Sequence, residues 1–208
     1  MTNGTHENRE RANKENYPGF NHPLTFCPLK AKHKPAMMKA IWRSHTDIKD
    51  FIGWAKYSRS WNAQDISKFV DDHLNDPFPN LHYVFWIGDE IVGFGSLVEC
   101  YTELDVQISL FVVKGYQGLG IGKKMVDTLT YLAFEVYGFL FLYYEHDAKN
   151  EMSKRLPQKC GFKYSHSKDY LKTAQGESGF WFSWVKKRPL GIPDGILQGR
   201  PIEDFTTP

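Results

Sequence analysis

The chain has 208 residues, 41% hydrophobic and 15% aromatic, enough for one substantial core and short enough for a single domain with tails. Acids and bases nearly cancel to a formal net charge of +2, so a strongly steered polyanion binder is not indicated and no nucleic-acid partner is expected. The three cysteines, Cys27, Cys100 and Cys160, are odd in number and lack CxxC spacing, and no histidines fall in an HExxH pattern, so neither a disulfide framework nor a metal is expected.

Residues 1–22 are polar and rich in Asn, Glu and Arg, and read as a mobile N-terminal tail without the apolar segment of a signal peptide. The longest apolar run, Val136 to Tyr144, falls far short of the ~20 residues of a membrane span, so a cytoplasmic protein without a membrane partner is expected. The domain is expected over residues 23–187. LTFCPL reads as a first short strand, and Pro35 to Phe51 as a helix carrying Met37, Met38, Ile41, Trp42 and Ile48. A second helix starts from Asn62 as N-cap, with Ile66, Phe69, Val70 and Leu74 on one face, and ends before Asn75-Asp76-Pro77. The period then changes: HYVFWI, a turn at Gly88-Asp89 and IVGFGSLVEC form an antiparallel hairpin, followed by a strand from Val106 to Val113.

A glycine run comes next, then a helix striped by Ile121, Met125, Leu129, Leu132 and Val136 and stopped by Gly138. Phe139 to Tyr144 is apolar on both faces, as in a strand buried on both sides, which makes strand, helix and strand a right-handed parallel crossover. A short helix after Asn150 and a closing hairpin, Lys163 to Ala174 with Gly179 to Lys186, complete the domain. Residues 188–208 hold four prolines and read as a C-terminal tail.

The glycine run, Gln117-Gly118-Leu119-Gly120-Ile121-Gly122-Lys123, carries most of the functional information. Glycines where a strand turns into a helix let backbone approach a ligand, and the helix start presents free N–H groups and positive dipole to an anion. Walker A does not fit, since Gln117 stands where its first glycine belongs and Lys124 follows Lys123. The dinucleotide fingerprint also fails, because Lys123 occupies its third glycine and the next strand lacks a ribose-binding acid. The pattern that fits is QxxGxG, filled by Gln117, Gly120 and Gly122.

This loop resembles the pyrophosphate loop of the GCN5-related N-acetyltransferase (GNAT) superfamily. Asn150, Ser153, Gly161 and Phe162 match its later NxxS…GF signature, and IGWAKYSRSWNAQDISKF is similar to the early helices of the RimJ/RimL-type ribosomal-protein N-terminal acetyltransferases. The resemblance implies an α+β fold: a mixed, mostly antiparallel twisted sheet of six to seven strands, with helices on both faces and a central parallel β-α-β crossover. It also implies acetyl transfer from acetyl-CoA directly to a primary amine in a ternary complex. A protein N-terminus is the favoured acceptor; a small amine of polyamine or aminoglycoside type, or a silent acyl-CoA-binding module, are the alternatives.

By the same resemblance, N–H groups from Gly118 to Lys123 cradle the pyrophosphate, and the pantetheine arm lies along Phe111, Val112 and Val113. Asn150 bonds the pantetheine amides, and Ser153 approaches the sulfur. Two positions depart from the pattern. Pro157 stands where many members place a tyrosine acid, which leaves Ser153, water or no acid to serve the thiolate. Gln107 stands where a glutamate base is frequent, and Asp105 and Glu103, on the same strand face at period two, become the candidate carboxylates acting through water. Trp54 and Trp61 are expected in the acceptor wall and His146 near the cleft. A homodimer through Phe180 to Trp184 is a further expectation.

Overall fold

The structure is a computed structural model, and it describes residues 23–75 and 81–189. The expected N-terminal tail, and the C-terminal tail from residue 190 onward, lie outside the described residues. Seven strands form one sheet in the order β1-β2-β3-β4-β5-β7-β6, with Thr25–Pro28 as β1, Leu81–Ile87 as β2, Glu90–Glu99 as β3, Asp105–Val112 as β4, Phe141–Asp147 as β5, Lys163–Asp169 as β6 and Phe180–Lys187 as β7. Every ladder is antiparallel except β4 with β5. Because β7 lies between β5 and β6, both its edges are occupied, and no backbone edge of the tryptophan-rich strand is open to a second copy.

Helices cover both faces. Helix α1, Lys34–Ile48, buries Met37, Ala40, Ile41, Ser44, His45 and Ile48, a stripe at spacings of three and four. Trp42 falls off that stripe and is 45% exposed, its indole N–H donating to the carbonyl of Trp61 at 3.1 Å. A 3-10 segment, Gly53–Ser60, leads to α2, Ala63–Leu74. Asn62 caps α2 through Oδ1, which accepts from the N–H groups of Gln64 (2.7 Å) and Asp65 (3.1 Å), while the Asp65 carboxylate accepts from Asn62 N–H. Phe69 of α2 meets Phe94 of β3, fixing α1 and α2 on the face that carries Phe94.

Helix α3, Ile121–Tyr131, lies on the opposite face and continues through a widened turn over Leu132–Val136. It sits close because β3 has no side chain beneath it: a Cβ on Gly93 would stand 2.5 Å from Met125 Sδ. The core fills both sides, with Val84, Phe85, Val92 and Leu142 of the sheet meeting Ile41, Val70, Met125 and Leu129, all fully buried. Pro157 divides the last helical stretch into α4, Glu151–Lys154, and α5, Leu156–Lys159.

Candidate active site

The parallel ladder is short. Its rungs run Asp105–Phe141, Val106–Leu142, Gln107–Tyr143 and Ile108–Tyr144 and then stop, although β4 continues to Val112 and β5 to Asp147. Beyond Ile108 and Tyr144 the strands diverge, and the facing backbone edges of Ser109–Val112 and Glu145–Asp147 bond neither each other nor a third strand. Since paired residues share a face, Phe111, Ser109, Gln107 and Asp105 of β4 and Tyr143 and Glu145 of β5 point to the α1/α2 side. Val112, Tyr144 and His146 point to the α3 side.

At the end of β4 the chain passes through Gly115, Gly118 and Gly120, with φ of 92°, 76° and 81°, the left-handed region that glycine enters without penalty. Space around the last two is open, with no heavy atom within 4 Å of where a Cβ would sit. Gly120 is the N-cap of α3 and offers no side-chain cap. The N–H groups from Gly118 to Lys123 donate to no other described residue; the first to find a partner is Lys124, on Gly120 O at 3.2 Å. Gln117 braces the turn by donating its amide to Val112 O at 3.3 Å. Leu119 is half-buried, Ile121 is anchored in the core, and Lys123 pairs with Asp127 one turn along α3. An open row of N–H donors at a helix start, next to a gap between strands, suits a diphosphate followed by an extended arm.

Val113 N–H continues β4 onto Val92 O at 2.8 Å, leaving the opposite edge of the strand toward the gap. Phe111 is buried against Trp54 (6.1 Å between ring centres) and Phe94 (6.1 Å). Trp54 and Trp61 stack at 5.7 Å, and both pack on Phe69, so the two tryptophans stand beside the gap on the α1/α2 side. His45 of α1 steadies this segment from below through Ser58, with Nδ1 2.9 Å from Oγ; burial holds the His45 pKa below its usual value.

Across the gap, Asn150 caps α4 by accepting from Ser153 N–H at 3.1 Å, and its amide nitrogen donates to no described residue. Ser153 is half-buried with its side chain against the Tyr144 hydroxyl; burial pushes Tyr144 up to about 12, and the Ser153 hydrogen bond pulls the other way. Tyr144 stands on the last rung of the parallel ladder. In the sequence, residue 144 reads as one more position of a doubly buried strand.

The carboxylates separate along the sheet. Asp105 is buried on the first rung, four residues before the opening, about 13 Å away at strand rise. Glu103 lies in the exposed turn before it. Glu145 instead is the first residue past the last rung, on the α1/α2 side, with its side chain only 4% exposed. Its Oε1 accepts from the Tyr101 hydroxyl at 2.8 Å and lies 3.5 Å from Lys168 Nζ. The alternation of β5 was the available signal: Glu145 is the first acid of the strand, two positions beyond Tyr143 and on the same face.

His146 is placed away from the acceptor side. Its Nε2 accepts from the Trp184 indole N–H at 3.1 Å and its Nδ1 meets Asp147 O at 2.9 Å, so both ring nitrogens are engaged and neither is open to a substrate. Burial lowers its pKa, in keeping with a neutral core histidine. Cys160 is likewise buried, and burial raises its thiol. The acceptor side is bounded at its far end by the loop between β6 and β7. A Cβ on Gly53 would fall 2.8 Å from Thr173 Oγ1, and one on Gly176 would fall 2.5 Å from Asp50 Cβ, so loop and α1 end meet in close contact.

A mixed sheet whose central parallel pair splays, with an anion-ready helix start at the mouth, defines an acyl-CoA-dependent acyltransferase architecture. Residues 36–162 match the model of the acetyltransferase (GNAT) family, and the chain belongs to that family. Among solved structures, RimL, the ribosomal L7/L12 alpha-N-protein acetyltransferase in complex with coenzyme A, superposes with a TM-score of 0.70 at 14% identity, over 79% of this chain and 94% of that one. The microcin C7 self-immunity acetyltransferase MccE, in complex with acetyl-CoA and AMP, gives 0.71 at 15% identity, over 80% and 93%. The ribosomal-protein-S5-alanine acetyltransferase from Vibrio fischeri gives 0.64 at 15%, over 82% and 96%. No curated protein matches the sequence. Among the described residues no helix is long and apolar enough to cross a membrane.

Proposed function

We propose that the protein transfers an acetyl group from acetyl-CoA to the α-amine of a polypeptide, directly, in a ternary complex. The observation that carries this reading is the junction of two features: the gap between β4 and β5, and the unpaired N–H row from Gly118 to Lys123 at its mouth. Acetyl-CoA supplies the thioester. The N–H row holds its diphosphate, and the pantetheine arm lies along Phe111 to Val113, where the Val112 N–H faces the gap and pairs with the arm as a short extra strand would. The same edge directs N–H toward the thioester oxygen, where negative charge grows during transfer. Asn150 has its amide nitrogen free for the arm, and Ser153 offers a hydroxyl to the departing sulfur.

On the acceptor side, Trp54 and Trp61 form an apolar wall, and Glu145 is the first carboxylate beyond the last rung of the parallel ladder. An incoming amine arrives mostly protonated at neutral pH, at a pKa of about 8 for an α-amine. Glu145 attracts the ammonium and takes its proton, directly or through a water, leaving a neutral nucleophile. The acid at 157 is absent, and a thiolate leaving group with a pKa of about 8.5 tolerates its absence.

Mass spectrometry of a panel of peptides, lysine side-chain amines and small amines incubated with acetyl-CoA tests the assignment. Modification of peptide α-amines is expected. Modification confined to polyamines or aminoglycosides would replace the acceptor class, and binding of CoA without turnover on any amine would leave only a cofactor-binding module.

A further inference from the structure

The acceptor face is covered unevenly. Helices reach β3 and β4 through Phe69 and Trp54, but over β5, β7 and β6 the side chains of Phe141, Tyr143, Trp181 and Val185 stay half-buried and Tyr101 is 50% exposed. Ladder register orders this area in rungs: Phe141 with Lys187, Tyr143 with Val185 and Lys163, Glu145 with Ser183 and His166, and Asp147 with Trp181 and Lys168. The rungs show a separation of charge. Glu145 and Asp147 stand on β5 beside the gap, Lys163 and Lys168 stand on the edge strand β6, and Lys187 stands at the far end of β7. Lys187 lies over the Phe141 ring at 5.4 Å, and Lys168 over Tyr101 (5.6 Å) and Trp181 (5.2 Å). Lys163 and Lys187 are exposed and form no ion pair with any described residue, whereas Lys168 already serves Glu145.

The wider sequence agrees. Residues 148–188 hold ten Lys and Arg against three Asp and Glu, although the whole chain is only +2. From Glu145 to β6 is two strand spacings, about 10 Å, the length of about three extended residues. We infer that this sheet face, uncovered by any helix among the described residues, binds the acceptor polypeptide beyond its amine, and that the acceptor carries Asp or Glu at about its third to fifth residue. The inference rests on the polypeptide-acceptor reading above. A chain with a cationic end and acidic residues behind it matches the face at both margins: ammonium at Glu145, carboxylates at Lys163 and Lys187, apolar stems on Tyr143 and Val185. A nucleic-acid strand matches only the outer margin, since its phosphates would meet Glu145 and Asp105 at the inner one.

The test compares two peptides with the same first two residues, acidic or neutral at the third to fifth. The acidic peptide is expected to show a KM about tenfold lower, a preference that shrinks as salt shortens the reach of the lysines. Lys163→Glu with Lys187→Glu should abolish the preference while leaving kcat at saturating peptide and the affinity for acetyl-CoA unchanged, as both side chains are solvent-exposed and outside the gap. Equal KM values for the two peptides, or a preference that survives the reversal, would overturn the inference and leave the α-amine reading standing. Turnover of small amines with none of either peptide would overturn both together. A single-stranded oligonucleotide that binds at these lysines and outcompetes the acidic peptide would assign the face to nucleic acid instead.

Discussion

Glu145 takes the Tyr101 hydroxyl and the Lys168 ammonium on one oxygen, Oε1, and its side chain is almost enclosed. Glu145→Gln keeps the shape and the Tyr101 contact but removes the charge, so kcat/KM for the acceptor should fall by about 100-fold, with acetyl-CoA affinity unchanged by isothermal titration. Asp105→Asn, four residues from the opening, should cost about threefold or less; the reverse order of the two losses would return the role to Asp105. Ser153→Ala should lower kcat by less than tenfold if a CoA thiolate needs little help in leaving, and a larger loss would make the Ser153 and Tyr144 hydroxyls a needed proton source.

The β6–β7 loop is the element on which the shape of the acceptor side depends, and one carboxylate ties it down. Asp147 at the end of β5 accepts from Ser178 N–H (2.8 Å), Ser178 Oγ (2.6 Å), Tyr170 Oη (3.0 Å) and Lys149 N–H (2.8 Å). Burial alone would raise its pKa, but these donors outweigh it and hold the carboxyl below its usual range. A depressed folded pKa means stability that is complete above the unfolded value of about 3.9 and lost as pH falls through the folded one. Asp147→Asn should therefore cost about 1–3 kcal/mol at pH 7 and little below pH 3, with faster amide exchange confined to residues 170–180. Uniform loss of protection across the sheet would show that the tie is global rather than local.

Helices and strands of this molecule were mostly legible in its sequence because each obeys one period: the α1 stripe, the Asn62 cap and the α3 stripe all sit within a few residues of their expected places. The glycine run was equally plain. Long-range choices were not. Nothing local in FWFSWVKK says that β7 enters between β5 and β6, or that Trp42 turns outward to a carbonyl instead of inward. Glu145 was hidden for the same reason, since its meaning comes from where the β4–β5 ladder stops, which is a property of two strands and their neighbours.

At the scale of the whole molecule, the sheet is divided at its centre, and the gap is a standing defect that a ligand can repair. Four residues of β4 and three of β5 have no ladder partner on the gap side, and a bound pantetheine arm would supply one. A ligand at 100 times its Kd stabilises the folded state by about 2.7 kcal/mol, worth about 5–10 °C in Tm for a domain of this size. The glycines separate this effect from ordinary stability. Gly120 sits at φ 81° with open space around it, so Gly120→Ala costs about 1–2 kcal/mol in backbone strain and also puts a methyl group toward the anion. Gly122 has no positive φ, and its added Cβ would rest 3.5 Å from Leu156 and Val112, an ordinary contact inside a helix turn. Gly122→Ala should thus leave the unliganded Tm unchanged or raise it. Gly120→Ala should lower it by a few degrees and also lose most of the shift on adding acetyl-CoA, read by differential scanning fluorimetry. An undiminished shift in Gly120→Ala would mean that the diphosphate does not sit on the α3 start.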